Sequence, residues 1–174
     1  MLEPTWKRIG AFHAEDNGAI GAVWMAHDET TSVVHIYDVA VFAREVPVII
    51  AEGIAARGRH YPVAWAKKDK AFAKQFLDAG INTLPEPCMD DPAMIEAVSR
   101  QVEQMLRTSR LRVDKRVVEW LREYKDFFRD GASVPQKGFP LMAATRHAIE
   151  MIPYARAESL GHMKRKNYPE LAVY

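Results

Sequence analysis

The sequence is poor in cysteine, and this limits how the chain can be stabilised. Cys88 is the single cysteine among 174 residues. One cysteine excludes a disulfide within the chain and is typical of proteins from a reducing compartment. No base lies near Cys88 in the segment PEPCMDDP, so we interpret this residue as a bystander thiol without a catalytic role.

Histidine pairs with metal-binding spacing are also absent. The six histidines show neither H-x-x-x-H nor H-E-x-x-H, the spacings that place two imidazoles on one face of a helix. The sequence therefore predicts no metal site. A zinc site would need ligands that only the fold brings together.

Long apolar runs and a signal peptide are lacking. No apolar stretch reaches the roughly 18–20 residues that span a bilayer, and the first ten residues, MLEPTWKRIG, have no apolar core. We therefore expect a cytoplasmic protein without a membrane partner.

An excess of either charge is missing as well. The 24 basic and 23 acidic side chains leave a net charge of +1, so binding to nucleic acid would need a local basic patch. No G-x-x-x-x-G-K-[ST] motif occurs, which excludes ATP binding by a P-loop. The G-x-S-x-G motif of serine hydrolases is absent too.

What the sequence does contain is a strong hairpin pattern. Residues 19–26 and 32–42 form two apolar runs separated by the polar segment HDETT. Their valine, isoleucine, tryptophan and tyrosine content favours extended chain, and a short polar break is typical of a β-hairpin. Because both runs are apolar on both faces, we expect the hairpin at the centre of a sheet, covered on both sides.

The other elements surround this hairpin. The patterns predict further strands at 6–13, 61–66 and 81–84, and helices at 44–57, 69–79, 91–108, 115–130 and 139–152. Asp91 and Asp114 are the expected N-caps of the third and fourth helices. The expected buried face of the fourth helix comprises Val118, Leu121, Tyr124, the stem of Lys125 and Phe128. Three sequential antiparallel strands followed by parallel βα crossovers predict an α/β protein with a ribonuclease H-like, mixed five-stranded sheet flanked by helices. We expect one domain at residues 1–153, followed by a C-terminal tail at 154–174.

Several segments together carry a resemblance to a known family. They are GAVWMAHDETTSVVHIYDVAVF, AEGIAARGRHYPVAWA, KQFLDAGIN with the proline-rich connector after it, the helix ending in MLRTSRLRV, WLREYK and LMAATRHAIEM. In this order they resemble the C-terminal nuclease domain of phage terminase large subunits, the motors of DNA packaging. The resemblance implies a phage or prophage protein of the bacterial host cytoplasm. Its implied partners are double-stranded DNA and a terminase ATPase, a small terminase or a portal protein.

The resemblance also implies three acids that hold two divalent metals, on the first strand, at the end of the fourth strand and on the closing helix. This chain carries His13 at the first position, Lys67 and Lys68 near the second, and Ala143 at the third. The comparison therefore predicts the fold and a degenerate active site. We expect no metal cofactor, with Mg²⁺ or Mn²⁺ required only if the domain is active.

Other acids could replace the missing ones. Asp16, Asp38 and Asp69 lie near the ends of predicted strands and are the candidates for a relocated metal site. The alternative is structural: Asp16 belongs to a turn, Asp38 is a polar residue at a strand edge and Asp69 is a helix cap. The sequence favours the structural interpretation, so the catalytic residues stay unknown.

Basic residues form three groups that could contact DNA phosphates, and the alternative for each is a solvated charged surface. The first group lies at the sheet edge where this fold receives DNA, and the second surrounds a short extended segment. The first group comprises Lys67, Lys68, Lys70 and Lys74, and the second includes Arg110 and Arg112. The third group, Lys164, Arg165 and Lys166, lies in the tail. Three hypotheses follow: a degenerate domain that binds DNA or packaging proteins, an active two-metal endonuclease with relocated acids, and a non-enzymatic interaction protein without nucleic-acid contact.

Overall fold

The computed structural model describes residues 2–127, 133–135 and 137–158. Its strands are β1 (Lys7–Ala14), β2 (Ala19–Asp28), β3 (Val33–Ala43), β4 (Val63–Ala64) and β5 (Leu111–Val113). Its α-helices are α1 (Pro47–Ala55), α2 (Lys70–Asp78), α3 (Pro92–Arg107), α4 (Val118–Asp126) and α5 (Pro140–Glu150). Short 3₁₀ helices span Lys67–Asp69 and Ile152–Tyr154.

The strands form one mixed sheet in the order β4-β1-β2-β3-β5. β1, β2 and β3 are sequential and antiparallel. β4 joins β1, and β5 joins β3, each in parallel. The predicted hairpin thus occupies the centre of the sheet, and the predicted ribonuclease H-like class is confirmed.

Helices cover both faces of the sheet because β1 and β2 alternate their apolar side chains between two cores. Ile9 and Val23 face α3, α4 and α5, whereas Phe12 and Trp24 face α1 and α2. All four side chains are at most 2% exposed. This two-sided burial explains why the apolar run of β2 does not alternate between apolar and polar residues. In β3, buried residues alternate with partly exposed ones and Val41 is 46% exposed, so the expected cover on both faces is met only in part for the second run of the hairpin.

The fifth strand is not the predicted one. Residues 81–84 add only an isolated parallel bridge between Thr83 and Val63. Beyond it, the Leu84 carbonyl oxygen accepts from the Trp65 indole N–H, and the Trp65 carbonyl oxygen accepts from the Cys88 N–H, so the ladder does not continue. β5 completes the sheet instead, at the opposite edge. The predicted strand at 61–66 shortens to the two residues of β4.

Helix ends differ from the predictions where side chains bond elsewhere. Asp91 caps α3 as predicted, accepting hydrogen bonds from the backbone N–H groups of Ala93 and Met94. Asp114 does not cap α4. Its carboxylate binds the backbone N–H and the guanidinium of Arg116, and α4 begins only at Val118.

The predicted buried face of α4 was also wrong in part. Val118 and Tyr124 are each 43% exposed, and Trp120 is the buried residue of this helix. The Trp120 indole N–H donates a 2.9 Å hydrogen bond to the Thr145 hydroxyl on α5. Phe128, predicted on the same face, lies outside the described residues.

The start of the predicted tail contacts the sheet. Arg8 and Arg156 exchange two backbone hydrogen bonds of 2.8 and 3.0 Å, and the tail from residue 159 lies outside the described residues. Within the described part of the chain, no helix combines the length and apolar character that a membrane span requires.

α5 approaches the sheet closely at Gly21. A Cβ atom at Gly21 would lie 2.6 Å from the Pro140 carbonyl carbon and 2.9 Å from the Leu141 nitrogen. Both contacts are with backbone, which cannot rotate away. Glycine at this position of β2 therefore sets the distance between α5 and the central strands.

We predict that Gly21→Ala lowers the free energy of unfolding by about 1–3 kcal/mol, since overpacking forces backbone to shift. Urea denaturation measures the change. The matched control is Gly53→Ala, whose new Cβ would meet only the end of the Phe42 ring and which replaces a glycine within α1. Equal stability of the Gly21→Ala variant and the wild type would contradict the close contact.

Candidate functional site

The site lies where the end of β1, the 3₁₀ helix after β4 and the inner face of α5 converge. β1 brings His13 to the face covered by α5, and α5 brings Ala143 and His147, one helical turn apart, to that face. The 3₁₀ helix supplies Lys68 and Asp69. Among these residues, His13, Lys68 and His147 line a pocket of about 220 Å³.

Two buried histidines form the centre of the site. The Nδ1 atom of His13 is 3.2 Å from the Nε2 atom of His147, and the two residues are 6% and 4% exposed. Burial, together with the positive charges of Lys68 and Arg146, lowers the pKa of His13 to about 3. Burial also lowers the pKa of His147 well below its usual value. At neutral pH both rings are therefore uncharged, and one donates a hydrogen bond to the other.

Carboxylates flank the histidine pair. Glu15 Oε1 lies 3.7 Å from His13 Nε2, and Asp69 Oδ2 lies 3.9 Å from His13 Nδ1. The Asp69 carboxylate also accepts a 3.3 Å hydrogen bond from the Ala14 N–H. Burial raises the pKa of Asp69 to about 6. Neither Glu15 Oε1 nor His13 Nε2 has a hydrogen-bond partner within the described part of the chain.

Cations occupy the remaining space around the pair. Lys68 Nζ donates a 2.7 Å hydrogen bond to the Ala14 carbonyl oxygen at the end of β1. Arg146 is 7% exposed, and burial lowers the pKa of its guanidinium to about 10, so it stays charged at neutral pH. Glu123 of α4 interacts electrostatically with Arg146.

Glu123 also holds the start of α5. Its Oε1 atom accepts a 2.7 Å hydrogen bond from the Met142 N–H, one of the amide groups that a helix leaves unpaired in its first turn. Burial raises the pKa of Glu123 to about 7. α4 thereby fixes the position of α5, and with it the position of His147.

This set of side chains does not fit a pair of hard divalent cations. Mg²⁺ and Mn²⁺ prefer oxygen ligands and negative charge, whereas here the carboxyl groups of Glu15, Asp16 and Asp69 are accompanied by two imidazoles, the Lys68 ammonium and the Arg146 guanidinium. Ala143 offers no ligand atom at all. The arrangement is a paired hydrogen-bonding cluster with balanced charge rather than an open carboxylate cage.

Comparison with known proteins gives matches in structure alone. The nuclease domain of the P22 large terminase superimposes with a TM-score of 0.82 at 17% identity, covering 91% of this chain and 87% of that one. The nuclease domain of the SPP1 large terminase, with bound Mn, gives 0.68 at 14% identity, covering 85% and 86%. The chain has the fold of a large terminase nuclease domain.

The fold extends to a longer terminase chain. The large terminase of a thermophilic bacteriophage gives a TM-score of 0.71 at 13% identity, and the match covers 88% of this chain but 42% of the longer one. No protein-family model matches the sequence, and no curated protein does. The terminase nuclease fold is thus recognisable in the backbone, while the sequence has diverged.

The three candidate acids are not brought together. Asp69 lies in the site. Asp16 lines the same pocket, but its carboxylate is exposed and forms a 2.7 Å ion pair with Lys137. Asp38 lies on β3, which β2 separates from β1, and it forms a 2.8 Å ion pair with Arg57.

The first and second basic groups lie at opposite edges of the sheet, and the third lies outside the described residues. Lys67, Lys68, Lys70 and Lys74 follow β4, whereas Arg110 and Arg112 lie at β5. Lys74 is paired with Asp78 at 2.7 Å. Lys67 and Lys70 are exposed beside the pocket-lining Lys68.

Sequence reasoning missed His147 and Glu123. His147 follows Ala143 by four residues, so helical periodicity alone places it on the same face of α5. Glu123 left no comparable signal, because its role depends on how α4 and α5 meet in three dimensions.

We predict that the Asp69→Asn variant gains stability relative to the wild type as the pH rises. The raised pKa means that ionising Asp69 costs folding free energy, so the wild type loses stability as pH rises from about 4 to about 6. Asparagine does not titrate, and the free energy of unfolding of the variant relative to wild type should rise by about 2 kcal/mol between pH 4 and 7. Urea denaturation across this range measures it.

The matched control is Asp16→Asn. The Lys137 ammonium lowers the pKa of the exposed Asp16 carboxylate, so its titration lies below this pH range. The stability of this variant relative to wild type should stay flat between pH 4.5 and 7. A flat profile for Asp69→Asn as well would contradict a buried Asp69 carboxyl group with a raised pKa.

Proposed function

We propose that this chain is a DNA-packaging-related domain of phage or prophage origin, similar to the nuclease domain of terminase large subunits. It binds double-stranded DNA or packaging proteins and does not cut DNA. The observation that carries the proposal is the Lys68 ammonium, bound at 2.7 Å to the Ala14 carbonyl oxygen beside the neutral His13–His147 pair. In this proposal, the Lys68 ammonium occupies the space in which a divalent metal ion would bind.

The positive charges around the site support the proposal that it binds no divalent metal ion. Two-metal cleavage relies on cations that activate water and stabilise the leaving oxygen, which requires anionic oxygen ligands around both ions. The ammonium of Lys68 and the guanidinium of Arg146 would repel such ions. The Asp69 carboxyl group, 3.9 Å from His13 Nδ1, has a raised pKa.

The lysines near the pocket support a binding role. Lys67 and Lys70 are exposed next to Lys68, at the end of β4 that borders the site. Phosphate contacts by such side chains are independent of sequence and sensitive to salt. This group is therefore the proposed DNA contact, with Arg110 and Arg112 at the other edge as a second, separate basic site.

The length of a structurally similar terminase supports protein partners as part of the proposal. The chain spans about two fifths of the large terminase of the thermophilic bacteriophage. An ATPase chain, a small terminase or a portal protein working beside this domain is accordingly part of the proposal.

A second candidate function is an active endonuclease with relocated acids. Asp69 and Glu15 both lie within 4 Å of the His13 ring, and Asp16 lines the same pocket. In this case Mg²⁺ or Mn²⁺ would be required, and Asp69 would be the residue whose loss abolishes cutting.

We predict no cleavage of supercoiled plasmid by the folded protein with Mg²⁺ or Mn²⁺, at protein excess, compared with EDTA. Gel electrophoresis detects nicked and linear products. The Asp69→Asn variant tests the source of any cleavage that is seen. If a relocated metal site exists, this substitution removes the cleavage. Cleavage that persists unchanged in the variant would point to a contaminating nuclease. Metal-dependent cutting lost in Asp69→Asn would overturn the binding-only proposal.

A second prediction concerns DNA affinity. The double variant Lys67→Gln/Lys70→Gln should weaken duplex binding about tenfold and lower the slope of log K against log salt by about 2, one phosphate contact per lysine. Fluorescence anisotropy across a salt series measures both quantities.

The matched control is Arg110→Gln/Arg112→Gln, which removes the same charge at the opposite edge. We expect it to affect binding less. Equal losses in both variants would contradict a DNA contact centred on the pocket edge. No binding by the wild type at low salt would exclude DNA as the partner and leave the interaction with proteins.

A further inference from the structure

A second cluster of potential ligands lies behind the histidine pair. The Cys88 sulfur, one ring nitrogen of His147 and a carboxylate oxygen of Glu150 all lie within 4.8 Å of one another. His147 and Glu150 are three residues apart on α5, and Cys88 comes from the proline-rich connector after Leu84. Three separate ligand types therefore converge from two elements that are about 60 residues apart in sequence.

The backbone around this triad is fixed by hydrogen bonds. The Cys88 N–H donates to the Trp65 carbonyl oxygen at 2.8 Å, extending the parallel pairing beyond β4. The Met89 N–H donates to Glu150 Oε1 at 2.8 Å, which orients the Glu150 carboxylate. The first bond holds the connector beside the sheet and the second holds it against α5, where the Cys88 thiol donates a 3.7 Å hydrogen bond to the His147 carbonyl oxygen.

The triad is also enclosed. Cys88 is 2% exposed and His147 is 4% exposed, whereas Glu150 is half-buried. His147 is neutral at neutral pH, as a metal-binding imidazole must be. Its Nε2 atom is engaged with His13 at 3.2 Å, an outer contact of the kind that fixes the orientation of metal-bound histidines.

We propose that Cys88, His147 and Glu150 form a binding site for one borderline-soft divalent cation of the Zn²⁺ class. Thiolate, imidazole and carboxylate are the three ligand types of protein zinc sites, and a thiolate selects against Mg²⁺. In a tetrahedral site the ligand atoms lie about 3.3–3.8 Å apart, so small side-chain rotations close the triad. Binding releases the Cys88 thiol proton to solvent, and a water molecule completes the coordination.

The site is distinct from the metal pair expected of terminase nucleases. It lies on the connector side of His147 and uses sulfur, and none of its ligands comes from β1. A cation there would fasten the connector to α5. It does not depend on DNA binding, so its failure would leave the proposed function intact.

Cobalt titration of the reduced, full-length protein tests the proposal. Co²⁺ substitutes for Zn²⁺ and reports a thiolate ligand through a sulfur-to-cobalt charge-transfer band. We expect one Co²⁺ per chain with this band, unaffected by excess Mg²⁺ and displaced by Zn²⁺. Zn²⁺ should also raise the thermal unfolding temperature, because a cation that binds only the folded state stabilises it.

Variants assign the ligands. Cys88→Ser should abolish the charge-transfer band, and Glu150→Gln, which keeps an oxygen for the Met89 N–H, should weaken binding at least about tenfold. His60→Asn replaces an exposed histidine away from the triad and should bind as the wild type does. Circular dichroism verifies folding, and Cys88→Ala replaces Cys88→Ser if the latter misfolds.

Two results would overturn the site. One is the absence of a charge-transfer band when the folded, reduced wild type is titrated with Co²⁺ to millimolar concentration. The other is Co²⁺ binding of equal affinity in the wild type and the Cys88 variant, which would show an adventitious ion only.

Discussion

The packing of α5 against the central strands is the constraint on which the rest of the structure depends. Ten of its eleven residues, from Pro140 to Ile149, are buried, and Gly21 leaves just enough room for its backbone. Such a helix cannot shift without opening the core. Because α5 is fixed, every polar group on its inner face must find its partner from β1, the 3₁₀ helix or the connector.

That requirement accounts for the charge arrangement of the site. His147 meets His13 from β1, and Arg146 is balanced by Glu123 and Glu15. Buried polar groups that lack partners are costly, so a domain that gave up its metal ligands would need such internal pairs to stay folded. The closed pairing of neutral imidazoles and opposed charges is what distinguishes this site from an open carboxylate cage.

The two proposals assign different roles to the two sides of His147. On the β1 side, where His147 pairs with His13 near the Lys68 ammonium, the proposal is that no hard cation binds. On the connector side, Cys88 and Glu150 offer ligands of a softer kind. A domain of this fold can thus keep a rigid, polar interior while its exposed lysines bind phosphate.

The sequence by itself determined the central hairpin, the two-sided burial of β2 and the ribonuclease H-like class, because these follow from local periodicity and the order of strands and helices. Through the resemblance, it also identified His13, Lys68 and Ala143 at or near the positions where the terminase nucleases are expected to carry metal-binding acids. Only the tertiary structure decided which residues meet: His13 with His147, Glu123 with the first turn of α5, Asp38 with Arg57, and Cys88 with Glu150. These contacts join residues from 19 to 134 positions apart. No periodicity along the chain records them, since they depend on how helices cross the sheet.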